Sequence, residues 1–131
     1  MADEQLEILV VESDKALRDH IKAGLQSFQR FVVTFAEGYP GINQVRQKTF
    51  DYILLGVPAA DSEGMQLLRA LREFDRDTEA VVLTAHKVAK TMASEKSRLN
   101  IFAFIDVPVD VAQFFRTVSR FKKRERAGSR G

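Results

Sequence analysis

The stretch FDYILLG, residues 50–56, constrains the fold of this chain more than any other. It is an apolar run of strand length that ends at Gly56, and a loop continues to Gly64 before the next helical pattern begins. Short apolar runs bounded by turn residues are typical of buried strands. We therefore predict a strand at 51–55 whose carboxyl end opens into a loop.

Outward from this stretch, strand and helix patterns alternate with short connections. The other predicted strands are 6–11, 31–35, 80–83 and 101–105. The helices between and after them are predicted from apolar residues at helical spacing, which are Leu17, Ile21, Leu25 and Phe28; Ile42 and Val45; Leu67, Leu68, Leu71 and Phe74; Val88, Met92 and Leu99; and Val111, Phe114, Phe115, Val118 and Phe121. Such alternation indicates five βα units and a parallel α/β sheet. The fourth helix, 87–99, has only a thin apolar stripe, so we expect it to be loosely held.

Composition is that of an ordinary globular protein. The 131 residues are 45% hydrophobic and 29% charged, and none is cysteine, which excludes disulfides and thiolate metal sites. The polar start and the lack of a run of roughly 20 apolar residues argue against a signal peptide and a membrane span. We expect one cytoplasmic domain, residues 1–121, followed by a basic, disordered tail or linker, residues 122–131.

Charge is distributed unevenly along the chain. Residues 1–85 hold 9 Lys and Arg against 14 Asp and Glu, whereas residues 86–131 hold 11 against 4. The last third is therefore basic. Such a charge run is usually a solvated surface, but it also suits an acidic protein partner, nucleic acid or a linker to another module.

Five pieces of the sequence, in order, resemble the receiver domain of bacterial two-component response regulators (CheY-like). They are ILVVES (8–13), DYILLG (51–56), the spacing from there to Gly64, LTA (83–85) and FIDVP (104–108). The resemblance implies a flavodoxin-like (βα)₅ fold, with helices on both sides of a parallel sheet of strand order 2-1-3-4-5. In doubly wound sheets the functional crevice lies at the carboxyl ends of the strands.

The resemblance also implies that the family's phosphorylation site is degenerate here. Receivers hold magnesium with an acidic pair after the first strand and accept a phosphoryl group on an aspartate after the third. The matching positions hold Glu12, Ser13 and Gly56, and the family's lysine aligns with Val107. Glycine offers no attacking oxygen, and magnesium prefers hard carboxylate and phosphate oxygens. We therefore expect a pseudo-receiver with no metal, cofactor or catalytic residue.

Three further positions match the scaffold of the family. Thr84 matches the hydroxyl residue that follows the phosphoryl oxygen, Phe104 the aromatic that moves with it, and Pro108 a proline that follows a cis peptide bond. A threonine at a strand end and a buried phenylalanine are more often packing residues. A retained two-state switch and a single fixed conformation therefore both stay open.

Polar residues around the expected crevice have simpler interpretations. Ser13 or Asp14 suits the N-cap of the first helix. A substitute phosphate acceptor among Asp14, Asp61 and Ser62 is an alternative, although each of these residues also suits a turn or a cap.

Three functions are weighed on this basis. The first is a protein-interaction module of bacterial signalling that acts without phosphorylation, through the face of the fourth helix, fifth strand and fifth helix that receivers use for partners. That face would present Lys87, Lys90, Lys96, Arg116 and Arg120 to a protein or to a second copy of the chain. The second is a receiver-like module of a transcription regulator, whose basic C-terminal end contacts or leads into a nucleic-acid-binding element. The third, an enzyme, is not predicted, because the sequence has no phosphate-binding glycine motif, Ser/His/Asp order or metal cluster.

Overall fold

The computed structural model describes residues 5–123, which form a five-stranded parallel sheet covered by helices. The strands are β1 Leu6–Val11, β2 Phe31–Ala36, β3 Tyr52–Gly56, β4 Glu79–Thr84 and β5 Ile101–Asp106. Their order in the sheet is β2-β1-β3-β4-β5. The fold class and strand order expected from the sequence are confirmed, and β2 and β5 are the two edge strands.

The helices follow the strands as predicted. They are α1 Lys15–Gln26, α2 Ile42–Gln47, α3 Glu63–Leu71, α4 His86–Thr91 and α5 Val111–Val118, with 3₁₀ turns at Tyr39–Gly41 and Ala93–Glu95. Asp14 caps α1 by accepting the Leu17 N–H at 3.0 Å, and Asp110 caps α5 by accepting the Gln113 N–H at 3.1 Å. No helix within residues 5–123 is long and apolar enough to cross a membrane.

The core lies on both faces of the sheet because side chains alternate along each strand. On β1, Leu9 and Val11 join the cluster formed with α2, α3 and the α4 region. Ile8 and Val10 join the opposite cluster with α1 and α5. The two layers fix the strand ends relative to one another, and the candidate site lies at the carboxyl ends.

The fourth helix is shorter than predicted. α4 ends at Thr91, a 3₁₀ turn follows, and Asn100 adopts a left-handed φ of 56° before β5. Met92 and Leu99 are buried as predicted, but α4 itself contains no buried residue. Met92 and Leu99, beyond the end of α4, therefore anchor the segment in the core, while Val88 of α4 packs against the same cluster and stays partly exposed.

Two residues predicted to face the core are exposed. Phe74 lies beyond the end of α3 and is 44% exposed, and the Arg46 guanidinium covers its ring at 4.7 Å from the centroid. Val111 is the first residue of α5 and is 56% exposed. Helical spacing placed both on the apolar stripe, but each lies at or past a helix end, where the stripe no longer meets the sheet.

Arg72, at the end of α3, is a buried cation that the sequence did not reveal. It is only 5% exposed. Its guanidinium donates to the carbonyls of Leu99 at 2.8 Å, Thr78 at 2.6 Å, Asp75 at 2.9 Å and Asn100 at 3.1 Å. Burial lowers the pKa of Arg72. One side chain thus ties α3 and the turn before β4 to the segment that leads into β5.

The ordered contacts of the chain continue past residue 121. The Phe121 ring stacks on Tyr52 with 3.8 Å between centroids, and the Lys122 N–H donates to the Tyr52 hydroxyl at 3.0 Å. The Lys123 ammonium pairs with Asp51 at 3.2 Å. The first two residues of the predicted tail therefore lie against the sheet, and residues 124–131 fall outside the described part of the chain.

Candidate functional site

A cleft at the carboxyl ends of β1, β3, β4 and β5 brings together the five residues predicted for the crevice. Glu12, Ser13 and Gly56 line one side of it, and Thr84 and Val107 line the adjoining side, which shares Glu12 and Ser13. Each of the five lies at or just after the end of a strand. The parallel sheet itself therefore places them together.

The carboxylate of Glu12 fills the space next to Gly56. A Cβ atom at residue 56 would lie 1.8 Å from Glu12 Oε1 and 2.7 Å from its carboxyl carbon, distances that real Cβ contacts do not show. The other carboxylate oxygen accepts the Asp14 N–H at 2.8 Å. The Glu12 carboxylate thus occupies the space where a side chain at position 56 would begin, and it would have to rotate away if residue 56 carried one.

The loop after β3 is closed by a second glycine. A Cβ atom at Gly64 would lie 2.6 Å from the carbonyl oxygen of Gly56 and 3.2 Å from Val57 Cγ2. The first turn of α3 therefore packs directly on the backbone at the end of β3. The sequence showed only the spacing between the two glycines, because the close approach depends on the path of the loop that joins them.

Thr84 is part of the packed scaffold beneath the cleft. It is 2% exposed, and its hydroxyl donates to the carbonyl of Val57. The Val107 N–H donates to the Thr84 carbonyl at 3.0 Å, and the bond from Val107 to Pro108 is cis, as the resemblance implied. These hydrogen bonds connect the carboxyl ends of β3, β4 and β5 directly beneath the cleft.

The cleft is lined by carboxylates. Glu12, Asp14, Glu37 and Glu63 contribute to its walls, and none of the described lining residues is a lysine or arginine. Arg18 lies at the rim, 3.3 Å from the Glu12 carbonyl oxygen and 3.7 Å from the Glu37 carboxylate. Within residues 5–123, no three His, Cys, Asp or Glu side chains converge in an arrangement that could hold a metal ion.

The sequence matches one known protein family over most of its length. A profile of the response regulator receiver domain family matches residues 8–119. The chain belongs to that family. The five-stranded parallel sheet and the cleft described above therefore belong to a receiver domain.

Known relatives of this receiver are longer proteins. This chain is 26% identical over 119 residues to the transcriptional regulatory protein ZraR of Klebsiella oxytoca, and the match covers 91% of this chain and 27% of that protein. It is 30% identical over 97 residues to the sensor protein GacS of Pseudomonas syringae pv. syringae, covering 70% of this chain and 10% of that protein. The receiver therefore spans about a quarter or less of these relatives.

Solved structures share the fold. The receiver domain of HemR from Leptospira biflexa, in its non-phosphorylated form, superposes with a TM-score of 0.74 at 24% identity, covering 89% of this chain and 94% of that one. Because the identity is low, this likeness concerns the fold alone.

The basic residues predicted for a partner face lie on or near α4 and α5 of the receiver. Lys87, Lys90, Lys96, Arg116 and Arg120, which we call the basic face, are all exposed. None of them forms an ion pair with a carboxylate in the described part of the chain. β5 lies beside them at the edge of the sheet, where Phe104 is half-buried against the cluster on the α4 side.

Proposed function

We propose that this receiver acts without phosphorylation, as a module that binds an acidic protein partner in bacterial signal transduction. The observation that carries the proposal is that residue 56 has no side chain and that the Glu12 carboxylate fills the space beside it. Transfer of a phosphoryl group to a protein carboxylate needs that carboxylate in place and positive charge around the transferred group. Position 56 has no side chain, and the half-buried Val107 brings no charge to the cleft.

The donor atoms of the cleft do not fit a magnesium ion. Magnesium requires near-octahedral oxygen ligation and is commonly held by one or two carboxylates together with phosphate and water. The three atoms nearest a Cβ at position 56 all belong to the carboxylate of Glu12, whose Oε2 accepts the Asp14 N–H, and within residues 5–123 no three acidic or histidine side chains converge as a metal site. We therefore assign no metal-dependent step to this site and propose no enzymatic activity.

Incubation of the protein with acetyl phosphate and magnesium is expected to leave its intact mass unchanged, because position 56 offers no nucleophile. Ser13→Asp, Gly56→Asp and Val107→Lys combined return the carboxylates and the ammonium group, so this variant is expected to gain a magnesium-dependent phosphoryl adduct and serves as the positive control. An adduct on the unmodified chain would contradict the proposal. If peptide mapping then located that phosphoryl group on Asp14, Asp61 or Ser62, the residue would be a substitute acceptor.

The basic face supports a partner of acidic character. Its five cations are exposed and have no intramolecular carboxylate partner within residues 5–123. Opposite charge across an interface steers association and selects partners, whereas like charges brought together oppose it. A symmetric dimer through this face would bring the same five cations of each copy together, which favours an acidic protein as the partner.

Charge reversal by Lys90→Glu with Arg120→Glu is expected to weaken capture of the protein partner from host lysate by about tenfold or more. Lys15→Glu with Lys22→Glu on α1 changes net charge equally, and we expect it to leave capture intact. The recovered proteins would be quantified by mass spectrometry after nuclease treatment. Equal capture by both double variants would remove the basic face from the proposal.

Nucleic acid is the second candidate, favoured by the likeness to the ZraR proteins, whose names describe transcriptional regulators. Against it, the Lys123 ammonium is already paired with the Asp51 carboxylate at 3.2 Å. Binding to nucleic-acid phosphates would fall steeply with salt. Capture that disappears on nuclease treatment would place this candidate first.

A further inference from the structure

β2 is an edge strand that lacks the usual protection of a sheet edge. Its six residues, FVVTFA, include no charge, proline or glycine, and none of the six is fully buried. It pairs with β1 in one continuous register from Phe31 to Ala36. Natural proteins commonly protect edge strands with charged residues, proline, bulges or a covering element, because open edges recruit other strands.

The opposite edge of the sheet is protected. The register between β4 and β5 shifts at Ala80 and Val81. The Arg120 guanidinium lies 5.0 Å from the centroid of the Phe102 ring, and β5 ends in a charged residue, Asp106. Irregularity and charge therefore discourage pairing at β5, whereas β2 has neither.

The backbone of β2 presents hydrogen-bonding groups to the open edge. The Leu6 N–H donates to the Arg30 carbonyl at 2.8 Å, and the Glu12 N–H donates to the Ala36 carbonyl at 3.0 Å, so the even-numbered residues face β1. Backbone groups alternate in direction along a strand of a parallel sheet. The N–H and C=O groups of Val33 and Phe35 therefore point to the side where the sheet has no further strand.

We propose that two copies of this receiver associate by antiparallel pairing of β2 with β2. A two-fold axis at Val33 places Phe31 of each copy opposite Phe35 of the other, and Val32 opposite Thr34. Within residues 31–35, every opposed pair is then aromatic or β-branched, with no like charges, which is the composition that stabilises cross-strand pairs. A self-complementary patch of this kind fits the closed two-fold symmetry that most homodimers adopt.

Charges at the ends of the strand do not oppose this register. With Val33 at the axis, Arg30 of one copy is opposite Ala36 of the other, and Glu37 is opposite Gln29. Arg30 donates to the Phe121 carbonyl of its own copy, and Glu37 lies 3.7 Å from its own Arg18, so neither end of the ladder brings like charges together. A second copy is thus complementary in backbone hydrogen bonding and in the kind of side chain it presents, which distinguishes β2 from the uniformly basic face.

Sedimentation equilibrium over a concentration series is the test. We expect the unmodified chain to form a dimer as concentration rises. Val32→Lys with Thr34→Lys would place lysines opposite each other twice and is expected to raise the dissociation constant by about tenfold. Val32→Lys with Thr34→Glu places opposite charges at the same positions and is expected to restore association.

Amide hydrogen exchange provides a measurement on the unmodified chain. The amides of Val33 and Phe35 are expected to exchange more slowly as concentration rises, whereas those of Val32 and Thr34, which already face β1, keep their rates. The proposal would be overturned if the chain stayed monomeric, or if the exchange rates of the Val33 and Phe35 amides did not change with concentration. Association that Lys90→Glu with Arg120→Glu abolishes would likewise overturn it and assign the dimer to the basic face.

Discussion

Replacing Arg72 with methionine is expected to lower the free energy of unfolding by about 3 kcal/mol, the largest effect we expect from a single side chain. Methionine keeps much of the apolar stem but none of the donors. The carbonyls of Leu99 and Thr78 would then lose a donor in a buried region where water replaces it poorly. Hydrogen bonds from a charged donor are about twice as strong as neutral ones, which adds to the loss.

The opposing effect is smaller. Burial lowers the pKa of Arg72 because the charged form is desolvated, so removing the cation relieves some of that penalty. However, the guanidinium reaches four carbonyls in two segments, the turn before β4 and the residues that lead into β5, and methionine can bridge neither. We therefore expect a net loss of stability, together with loosening of the segment that leads into β5.

Urea denaturation of Arg72→Met beside Arg69→Met provides the comparison. Arg69 lies one turn earlier on α3, is 41% exposed and makes only a 3.7 Å contact with Glu95. Exposed ion pairs contribute about 0–1 kcal/mol, so this control should remain close to the unmodified protein. Equal midpoints for the two variants would show that the buried hydrogen bonds of Arg72 contribute nothing net.

Replacing Gly64 with alanine is expected to cost about 2 kcal/mol, even though alanine is the better helix former. The new methyl group would lie 2.6 Å from the Gly56 carbonyl oxygen, which is backbone and cannot rotate away. Either α3 must shift from the end of β3 or the loop between them must distort. The helical gain of about 1 kcal/mol from alanine is too small to offset this overpacking.

Gly38→Ala is the matched control for this substitution. Its Cβ would lie 2.1 Å from Glu63 Oε1, nominally a closer approach, but that atom is the far end of a flexible side chain. Glu63 can rotate at the cost of its hydrogen bond to the Tyr39 N–H, about 1 kcal/mol. Thermal unfolding of the two variants would contradict our account if Gly38→Ala were the more damaging.

The sequence predicted the sheet well because its signals are local. Apolar runs defined the five strands to within about a residue or two, and the resemblance to receivers supplied their order. Asp110 was predicted as a cap, and Asp14 was one of two candidates with Ser13, because short polar residues directly before a helical pattern favour that role. Ile21, Leu25 and Phe114 were placed in the core by spacing alone.

The features that depend on distant atoms were not predictable. An arginine at the end of an amphipathic helix indicates a solvated side chain, and nothing local to Arg72 showed that four carbonyls surround it. The resemblance to receivers led us to predict that Gly56 stands in place of a nucleophile, but the sequence did not show that the Glu12 carboxylate takes up the adjoining space. Phe74 and Val111 were misplaced because periodicity continues past the points where the helices leave the sheet.

The short helix α4 carries Lys87 and Lys90 of the basic face, yet it has no buried side chain and no side-chain cap at its start. Segments with few buried apolar contacts open at low free energy. A partner that docks there must therefore immobilise the helix, and the conformational entropy lost opposes binding. Of two partners with the same charge, the one whose binding site restricts the motion of α4 less would then bind more tightly.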